Sequence, residues 1–452
     1  MVTREFRGAW VASVYNIDWP SRTGLSAGAQ QGELRAMLDQ MVRLKLNAMI
    51  FQVRPHGDAL YQSRIEPWSP WLTGTMGRSP GYDPLAYCIS QAHARGIEVH
   101  AWFNPFRALP NETMTTSSSH ITRTHPSLIR KFKSYKWMDP ANSFTRQRAL
   151  SVILDVTRRY DIDGIHIDDY FYPYPDVEAN GRPKQQFPDG KTPSQRRGYV
   201  DSFVQQMYSS VKKAKPWARV GISPFGIWKP GVPSGTTASI NAYEHLAADS
   251  RKWLKNGWCD YMSPQLYWRI QGPQGYTRLL SWWRSQGSRP VWPGIATARI
   301  NSSEDKGRPA SEIVNQVILS RTTGRNYAGH VHWSMKSLRQ NRGGISSYLE
   351  KNTYTTAALV PPMPWLSKTQ LATPILKATG AQKKGSGVVA KWSPVRGASK
   401  YAIQARYGKN WFTVKVLPAS ATSISLSGKP DAIAVSSVDR YGTTSTPSVV
   451  AR

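Results

Sequence analysis

Two adjacent carboxylates, Asp168 and Asp169, are the residues whose type and spacing best suit catalysis in this chain. They follow the sequence Gly-Ile-His-Ile at residues 164–167, which alternates as a short buried strand does. Neighbouring like charges are unfavourable unless they share a proton or gain compensating contacts. An acid pair at a strand end, followed by the aromatic residues 170–175, therefore predicts an active site in which rings stack on a flat substrate.

The elements that must position this pair alternate between short strands and longer helices. The apolar pattern predicts strands at 6–14, 47–53, 98–103, 164–167, 219–223, 260–267, 291–295 and 330–334. It predicts helices at 33–46, 84–95, 146–160, 199–213, 243–256, around 282–283, at 311–320 and at 344–351. A long polar insertion separates the third strand from the helix that precedes the central one. Eight strand–helix units predict a closed (β/α)8 TIM barrel, an α/β fold that typically takes ~250 residues or more. An open doubly wound sheet is the alternative, which the lack of a dinucleotide-binding fingerprint disfavours.

The character of the sequence changes after residue 351. Residues 352–372 are rich in Thr, Ala and Pro, which is typical of a linker or wrapping arm. Residues 373–452 then alternate with a period of two, and strands are predicted at 387–392, 400–406, 411–416 and 432–438. We therefore predict a barrel domain at 1–351, a connecting segment at 352–372, and a small all-β immunoglobulin-like sandwich at 373–452.

The charge balance indicates the kind of partner. The chain of 452 residues has 59 Lys and Arg against 28 Asp and Glu, a formal net charge of +31. Such a field favours contact with polyanions, among them nucleic acid, anionic lipid and anionic cell-wall polymers. No dense basic block is present, so no specific nucleic-acid partner is expected. The sequence has no run of transmembrane length and no opening signal peptide, and it does not predict an oligomeric state.

The motifs that bind metals and common cofactors are missing from this sequence. It contains no CxxC, HExxH or P-loop, and no GxGxxG that opens a strand–helix unit, so we predict no metal and no cofactor. The two cysteines, Cys88 and Cys259, lie in apolar surroundings and are predicted to be buried thiols.

Functional residues of a barrel lie on the loops that follow its strands. Here those loops carry aromatic rings, amides, guanidinium groups and acids, a set that suits sugar because rings stack on pyranose faces while fixed polar groups read hydroxyls. Cleavage of a glycosidic bond needs a carboxyl acid and a second carboxylate, or a substrate group that replaces it. We predict Asp168 and Asp169 as catalytic residues. The predicted substrate-binding residues are Asp18, Arg54, Asp58, Asn104, Arg107, Tyr170, Trp228, Gln265, Tyr267 and Trp268. Trp228 and Trp268 are alternatively core aromatics, and the two arginines alternatively neutralise the carboxylates.

Six blocks of sequence carry a wider resemblance. They are RGAWV at 7–11, FQVRP at 51–55, HAWFNP at 100–105, DGIHIDDYFYP at 163–173, GISPFGIW at 221–228 and DYMSPQLYW at 260–268. In this order they resemble the glycosyl-hydrolase-like-10 family, which includes a hydrolase of peptide-free (denuded) peptidoglycan strands. The resemblance implies a secreted or envelope-associated glycosidase that acts on peptidoglycan or another polysaccharide. Residues 391–401 and 435–442 are similar to fibronectin type III modules.

The resemblance leaves two mechanisms open. The strand-four block is similar to that of chitinases, but Tyr170 stands where their catalytic Glu would be. Adjacent aspartates occur in substrate-assisted N-acetylhexosaminidases. By that likeness Asp168 would orient the substrate acetamido group and Asp169 would be the acid, with Gln265 and Tyr267 holding the acetamido group. The alternative pairs one of the two aspartates with a loop acid such as Asp18, Asp58, Glu178 or Asp189. A third possibility, from another class, is a non-catalytic wall-binding protein that uses the same cleft.

Overall fold

The computed structural model describes residues 2–322, 327–379 and 388–451. Its strands, in chain order, are β1 Phe6–Val11, β2 Ala48–Arg54, β3 Glu98–Phe103, β4 Arg107–Leu109, β5 Ile129–Phe132, β6 Tyr135–Met138, β7 Gly164–Ile167, β8 Arg219–Ile222, β9 Tyr261–Met262, β10 Gly294–Ile295, β11 Gly329–His332, β12 Leu376–Thr379, β13 Val388–Trp392, β14 Lys400–Tyr407, β15 Asn410–Pro418, β16 Ser423–Leu426, β17 Ala432–Val438 and β18 Ser448–Ala451.

The α-helices alternate with these strands over the first three quarters of the chain. They are α1 Ala27–Arg43, α2 Pro70–Thr73, α3 Pro84–His93, α4 Ile121–Thr124, α5 Ser143–Arg159, α6 Pro193–Ala214, α7 Ala242–His245, α8 Ser250–Lys255, α9 Tyr276–Arg284, α10 Ala310–Thr322, α11 Met335–Arg339 and α12 Ile345–Tyr348. Short 3-10 turns lie at 14–16, 126–128, 297–299 and 342–344, and a π-turn at 349–353 follows α12.

Eight of these strands form one parallel sheet in the order β10-β11-β1-β2-β3-β7-β8-β9. Parallel bridges from Met262 to Val291 and from Gln265 to Gly294 join the two ends of this sheet. The backbone N–H of Trp292 donates to the carbonyl of Met262 at 2.9 Å, within the same seam. The sheet is therefore closed into a ring with helices outside it, and the predicted (β/α)8 barrel is confirmed.

Alternate residues of each strand face either the barrel interior or the surrounding helices. Trp10, Ile50, Trp102 and Tyr261 pack together as one buried cluster inside the ring, whereas their neighbours along the strands join the larger core under the helices. Large rings inside a small barrel need space, and Gly221 provides it, because a Cβ at that position would overlap the Tyr261 ring. The barrel interior is thus a packed core rather than a channel.

The helices cover the ring with amphipathic faces. In α1 the buried residues Leu34, Met37, Leu38 and Met41 recur at helical spacing, and the Ser26 side chain caps its first turn by accepting from the N–H of Ala29. The predicted helix at 243–256 is interrupted, since α7 and α8 are separate short helices. None of the described helices has both the length and the apolar character needed to cross a membrane.

The polar insertion contains structure that the sequence pattern did not predict. Strands β4, β5 and β6 form a small antiparallel sheet in the order β4-β6-β5. This sheet lies between β3 and the helix α5, so it projects from the carboxyl end of the barrel strands. Its presence brings residues of the insertion, including Tyr135, to the same end as Asp168 and Asp169.

The C-terminal region forms two antiparallel sheets, ordered β12-β13-β16 and β15-β14-β17-β18. Trp392 of the first sheet and Tyr401, Ile403 and Val435 of the second belong to one buried cluster, so the sheets pack face to face. The predicted all-β region is confirmed, although the start of its first predicted strand, residue 387, lies outside the described residues. The likeness to fibronectin type III modules and the domain boundaries stay predictions.

The sandwich contacts the amino end of the barrel strands. Lys400 of β14 forms an ion pair with Glu98, the first residue of β3, at 3.0 Å. Arg440, which follows β17, pairs with Asp161 at 2.6 Å and with Asp163 at 3.3 Å, just before β7. These contacts lie at the opposite end of the barrel from the acid pair that follows β7.

Both cysteines are buried free thiols, as predicted. Burial raises the pKa of the Cys88 thiol and of the Cys259 thiol above its usual range, so neither is prepared to act as a nucleophile.

Candidate active site

Asp168 and Asp169 lie at the carboxyl end of β7, where the strand leaves the parallel sheet. Both are almost fully buried, with 6% and 3% of their surface exposed, yet both line an open cavity of ≈ 390 Å³. The sequence places them there because the alternating residues 164–167 fill the barrel wall, and the chain turns outward at the next residue. The acid pair is thus exposed to a ligand only through this cavity.

Asp168 is held by donors from two neighbouring segments. The amide of Asn104 donates to both of its carboxylate oxygens, at 2.8 and 2.7 Å, and the Trp102 indole N–H donates to Oδ2 at 3.2 Å. The backbone N–H of Tyr170 donates to Oδ1 at 3.3 Å. Four donated hydrogen bonds fix the orientation of this carboxylate and leave it little freedom to turn.

A further layer fixes Asn104 in turn. Its Oδ1 accepts from Gln52 Nε2 at 2.8 Å, and Gln52 Oε1 accepts from the backbone N–H groups of Ser13 and Val14 at 3.0 and 2.9 Å. Because the two backbone donors determine which end of the Gln52 amide is oxygen, they also determine which end of Asn104 donates to Asp168. The chain from β1 through β2 and β3 therefore pre-organises the carboxylate on β7.

Asp169 has different partners. The Tyr174 hydroxyl donates to its Oδ2, and the Gln265 amide also hydrogen-bonds this carboxylate. The same Gln265 donates to the carbonyl of Ser223 at 3.2 Å. Tyr174, Gln265 and Ser223 all line the cavity, so Asp169 is surrounded by groups that a ligand can also reach.

The two acids bind protons more tightly than isolated aspartates do. Burial, and next the negative charge of Asp169, raise the pKa of Asp168 to about 7 against the opposing effects of Arg107 and Asn104. Burial also raises the pKa of Asp169, opposed by the hydrogen bonds from Tyr174 and Gln265 and by Arg107. The pair can therefore retain a proton near neutral pH, which is the requirement for a general acid.

Arg107 supplies positive charge beside the pair. Its guanidinium group lies over the Tyr170 ring, 4.4 Å from the ring centroid, and both residues line the cavity. Among the described residues its Nε has no hydrogen-bond partner although it is buried. This arginine therefore stacks on Tyr170 and has one buried donor that no described residue satisfies.

Aromatic rings form most of the cavity wall. The full lining consists of Trp10, Val14, Tyr15, Ile17, Gln52, Trp102, Arg107, Tyr135, Asp168, Asp169, Tyr170, Tyr174, Ser223, Phe225, Gln265, Tyr267 and Trp333. Burial, and next the two aspartates, raise the pKa of the Tyr267 phenol well above its usual range, which keeps it protonated as a donor. Rings with a few inward polar groups are the composition expected of a sugar-binding cleft.

His166 lies below the acid pair inside the barrel. Its Nε2 accepts from the Trp10 indole N–H at 3.2 Å, and its Nδ1 contacts the Tyr261 hydroxyl at 3.0 Å. Burial lowers its pKa well below the usual value, so the ring is neutral. It supports Trp10 in the cavity wall and makes none of the hydrogen bonds that hold Asp168.

Seven of the predicted site residues come together in or against the cavity. Asp168, Asp169, Arg107, Tyr170, Gln265 and Tyr267 line it, and Asn104 contacts Asp168 from behind. The other five, discussed next, lie outside the lining.

Asp18 follows β1 as predicted but is occupied by structural contacts. It accepts from the Ala12 N–H at 2.9 Å, from the Ser334 hydroxyl at 2.7 Å and from the Lys336 N–H at 2.6 Å. These bonds join the first and last barrel loops, and they leave the carboxylate outside the cavity. The predicted contact between Asp18 and substrate is therefore replaced by a stabilising role.

Arg54 and Asp58 are also internal. Arg54 forms a two-point ion pair with Glu66, at 2.7 and 2.6 Å, and donates to the carbonyl of Asn104 at 2.5 Å. Asp58 is fully buried and accepts from the N–H of His56 at 2.7 Å. Both residues shape the loop that follows β2 and neither lines the cavity.

Trp228 and Trp268 follow their strands but pack behind the wall. Trp228 stacks on Trp282 with centroids 6.1 Å apart, and Trp268 packs edge-on against Phe225 at 5.6 Å. Phe225 faces the cavity, so Trp268 supports it from the second layer. Their position matches the alternative interpretation, in which both residues are core aromatics.

Eleven of the seventeen lining residues were not among the predicted site residues, and three of them show where the missing signal lay. Gln52 and Trp102 lie within β2 and β3, and Tyr135 comes from β6 of the insertion. A signal existed for the first two, because large or polar residues on the inward face near a strand's carboxyl end reach the active end of a barrel. No local signal marks Tyr135.

The described residues contain no cluster of three or more His, Cys, Asp or Glu positioned to hold a metal ion. The polar groups that line the cavity are carboxylates, phenols, amides, indoles, a hydroxyl and one guanidinium group.

Comparison with known proteins finds one matching family and several similar proteins. The sequence profile described as glycosyl hydrolase-like 10 matches residues 5–309. The chain is 38% identical over 438 residues to glycosyl hydrolase YngK of Bacillus subtilis (strain 168), covering 91% of this chain and 84% of that protein. It is 33% identical over 306 residues to glycosyl hydrolase DigH of Escherichia coli (strain K12), covering 62% of this chain and 70% of that protein. The solved PgaB (BpsB) glycoside hydrolase domain from Bordetella bronchiseptica aligns over 77% of this chain and 98% of its own, at 13% identity and a TM-score of 0.49.

Proposed function

Because the chain belongs to the glycosyl hydrolase-like 10 family, we propose that it hydrolyses glycosidic bonds of a cell-wall glycan. The proposed substrate is peptidoglycan strands without peptides, or a related N-acetylated polysaccharide. The observation that carries this proposal is the buried Asp168–Asp169 pair, with raised pKa values, at the base of an aromatic-lined cavity. Two relatives, 38% and 33% identical to this chain over their aligned residues, are named glycosyl hydrolases.

In the proposed mechanism the two aspartates have different tasks. Asp168, fixed by four hydrogen bonds, would orient the substrate acetamido group so that its carbonyl oxygen attacks the anomeric carbon. Asp169 would donate its proton to the departing glycosidic oxygen. Water would then open the cyclic intermediate, with Asp169 taking back a proton, so that the acid is regenerated.

The composition of the cavity supports a substrate-assisted route over one that needs a second loop acid. Within the described chain, Asp168 and Asp169 are the only carboxylates that line the cavity. The other candidates have partners of their own, since Asp18 bonds Ser334 and Asp189 pairs with Arg196. Gln265 and Tyr267 line the cavity and are available to hold the acetamido group.

We further propose that the protein acts outside the cytoplasm, where such glycans are found. The net charge of +31 supports retention at an anionic wall, because a long-range positive field attracts polyanionic surfaces. The same field supports the alternative function, a wall-binding protein without catalysis.

Digestion of isolated sacculi separates these functions. Sacculi treated with an amidase to remove peptides, and untreated sacculi, would each be incubated with the wild type, with Asp169→Asn and with Asp39→Asn. Asp39 is an exposed acid on α1 that pairs with Arg95 at 2.7 Å, so its variant controls for the loss of one carboxylate. Soluble fragments would be identified by mass spectrometry.

The expected result is fragments with new reducing ends from treated sacculi with the wild type and Asp39→Asn, and none with Asp169→Asn. Sedimentation of all three proteins with sacculi, without fragments from any of them, would establish the binding function instead.

A further inference from the structure

A second cavity lies beside the one that contains the acid pair. Its volume is ≈ 370 Å³, and it is lined by Tyr267, Ala296, Ala298, Arg299, Ser302, Ser303, Glu304, Trp333 and Arg342. Tyr267 and Trp333 also line the first cavity, so the two spaces are neighbours that share these aromatic side chains. A chain of sugar rings that enters the first cavity can therefore continue into the second.

Two guanidinium groups in this second cavity are held in fixed positions. Arg299 Nη1 donates to the carbonyl of Tyr267 at 2.9 Å, and Arg342 Nη1 donates to the carbonyl of Ala298 at 2.6 Å. Each arginine is thereby anchored at one nitrogen to the backbone. Arg342 Nε also donates to the side-chain oxygen of Gln340 at 2.8 Å. The hydrogen bonds of the described residues therefore leave Nη2 of each arginine for another partner.

The charges of these arginines are not matched by carboxylates. Arg299 Nε lies 3.6 Å from Glu304, whose side chain is 73% exposed, and Arg342 has no ion pair within the described part of the chain. Two cations and one exposed acid give the cavity a net positive lining. The buried hydroxyl of Ser302 also has no hydrogen-bond partner among the described residues, so an unused polar group accompanies the free guanidinium donors.

We propose that this second cavity is a subsite for a sugar that carries a carboxylate, with Arg342 and Arg299 as the residues that recognise it. The proposal rests on the proposed function, because it names the substrate feature that the same glycan-cleaving site would select. Arginine forks match the geometry of carboxylates and form charge-assisted hydrogen bonds with them. Tyr267 and Trp333 would stack on the sugar rings that span the two cavities.

This subsite gives a physical reason for a preference for peptide-free strands. A sugar ether-linked to a short acid exposes a free carboxylate only when that acid is not in amide linkage to a peptide. Amide formation removes the negative charge and adds bulk at the atom that Arg342 would contact. The arginines would then lose their charged partner and remain desolvated, which disfavours binding of the peptide-bearing strand.

The test compares two forms of one substrate. Glycan strands from amidase-treated sacculi would be used as isolated and after chemical reduction of their carboxyl groups to alcohols. The proteins would be the wild type, Arg342→Gln, Arg342→Lys and Arg43→Gln. Arg43 is an exposed arginine at the end of α1, so its variant has the same charge change away from both cavities.

The measured quantity is the ratio of kcat/KM on the carboxylate form to that on the reduced form. We expect a ratio of about 10- to 100-fold for the wild type and for Arg43→Gln, the range of one or two charge-assisted hydrogen bonds. Arg342→Gln should reduce the ratio about 10-fold, and Arg342→Lys, which keeps the charge but not the fork, should give an intermediate value. A wild-type ratio near one, or equal loss on both forms in Arg342→Gln, would overturn the subsite.

A binding measurement separates this proposal from the proposed function. The affinity of the wild type and of Arg342→Gln for the two strand forms would be measured with labelled strands. If the wild type cleaves neither form but binds the carboxylate form more tightly, and Arg342→Gln loses that difference, the hydrolase function fails and the subsite stands. If neither cleavage nor binding distinguishes the two forms, the subsite fails as well.

Discussion

The two ends of the barrel bury carboxylates in opposite ways. At the carboxyl end, burial raises the pKa values of Asp168 and Asp169, and each acid's close partners are neutral donors apart from Arg107. At the amino end, Glu98 and Asp163 are also buried, yet their pKa values are lowered. Burial opposes the lowering of both pKa values, but Lys400 and Arg219 beside Glu98, and His93 beside Asp163, outweigh it.

The contrast shows that the neighbouring charges and hydrogen-bond donors, rather than the extent of burial, decide whether folding raises or lowers the pKa of a buried acid. Ion pairs from the sandwich and a hydrogen bond from His93 of α3 satisfy the acids at the amino end, and the ion pairs hold the two parts of the chain together. At the carboxyl end the largest charge effect on Asp168 is that of the like charge of Asp169, which raises its pKa. The proposed chemistry and the ion pairs that join the two parts of the chain thus lie at opposite ends, as is usual in this architecture.

A row of hydrogen bonds inside the barrel connects the two ends. The Trp10 indole can only donate, so His166 Nε2 is an acceptor and His166 Nδ1 carries the proton that meets the Tyr261 oxygen. The Tyr261 hydroxyl then donates to His100 Nδ1 at 2.8 Å, and His100 Nε2 faces Glu98 at 3.4 Å. A single choice of histidine tautomers therefore satisfies every hydrogen bond in this row, from Trp10 in the cavity wall to Glu98 at the contact with the sandwich.

The largest expected difference between the two ends concerns turnover. Asp168→Asn should lower kcat about 10²- to 10⁴-fold, because the site loses the carboxylate proposed to orient the attacking acetamido group. Asp163→Asn removes another buried carboxylate at the other end and should retain most of the activity. Turnover of glycan strands by purified variants, normalised to folded protein, measures both.

Activity within about 10-fold of the wild type in Asp168→Asn would contradict the assignment of chemistry to this end. Loss of activity in Asp163→Asn without loss of folded protein would show that the amino end also contributes to catalysis.

The second expected difference concerns stability. Lys400→Met should destabilise the fold by about 3 kcal/mol, since it leaves Glu98 buried with one cation fewer. The pKa of Glu98 is lowered on folding, so its stabilising contribution is fully present above its unfolded pKa of about 4.5, declines below that pH, and is lost as pH falls through the lower folded pKa. Thermal unfolding of Lys400→Met and the wild type at pH 7 and at pH 4 should therefore show a gap that narrows in acid.

Lys409→Met is the matched control, because Lys409 is an exposed lysine in the turn between β14 and β15. A gap between the wild type and Lys400→Met that is the same at both pH values would refute the ion pair as the cause.

The third expected difference is a shift in pH dependence. Activity should fall as pH rises through about 7, where the acid pair loses its last proton. Arg107 opposes the raised pKa values, so Arg107→Gln should move this alkaline limb to higher pH while lowering kcat/KM about 10-fold through lost contacts. The pH profile of kcat/KM measures the shift.

Arg130→Gln serves as control, because Arg130 lies in the same inserted sheet but pairs with Asp139 at 3.1 Å outside the cavity. An alkaline limb that moves to lower pH in Arg107→Gln, or moves equally in Arg130→Gln, would contradict the role of Arg107.

The sequence predicted the barrel because alternation within strands and spacing within helices are local properties. Strand β7 was predicted residue for residue, and so was the location of the acid pair at its end. Which strand-end residues reach the cavity depends instead on distant partners. Hydrogen bonds from Ser334 and Lys336 hold Asp18 outside the cavity. These donors are more than 300 residues away in sequence, and no local pattern encodes that contact. Tyr135 reaches the cavity only because the insertion forms its own sheet.

The smallest expected difference between the two ends concerns thermal stability. Removing the charge of Asp169 should raise Tm, whereas removing that of Glu98 should lower it. Folding raises the pKa of Asp169, so ionisation of the pair destabilises the folded state once pH exceeds the unfolded value near 4. Asp169→Asn removes that charge and should raise Tm by a few degrees at pH 8, about 2–4 °C for each kcal/mol gained, with a smaller gain at pH 5. Since Glu98→Gln should lower Tm at pH 8, differential scanning fluorimetry of the two variants side by side compares the two ends directly. Lower Tm values for both variants at pH 8 would mean that the carboxyl end is stabilised by its acids as the amino end is, and the contrast between the two ends would then be lost.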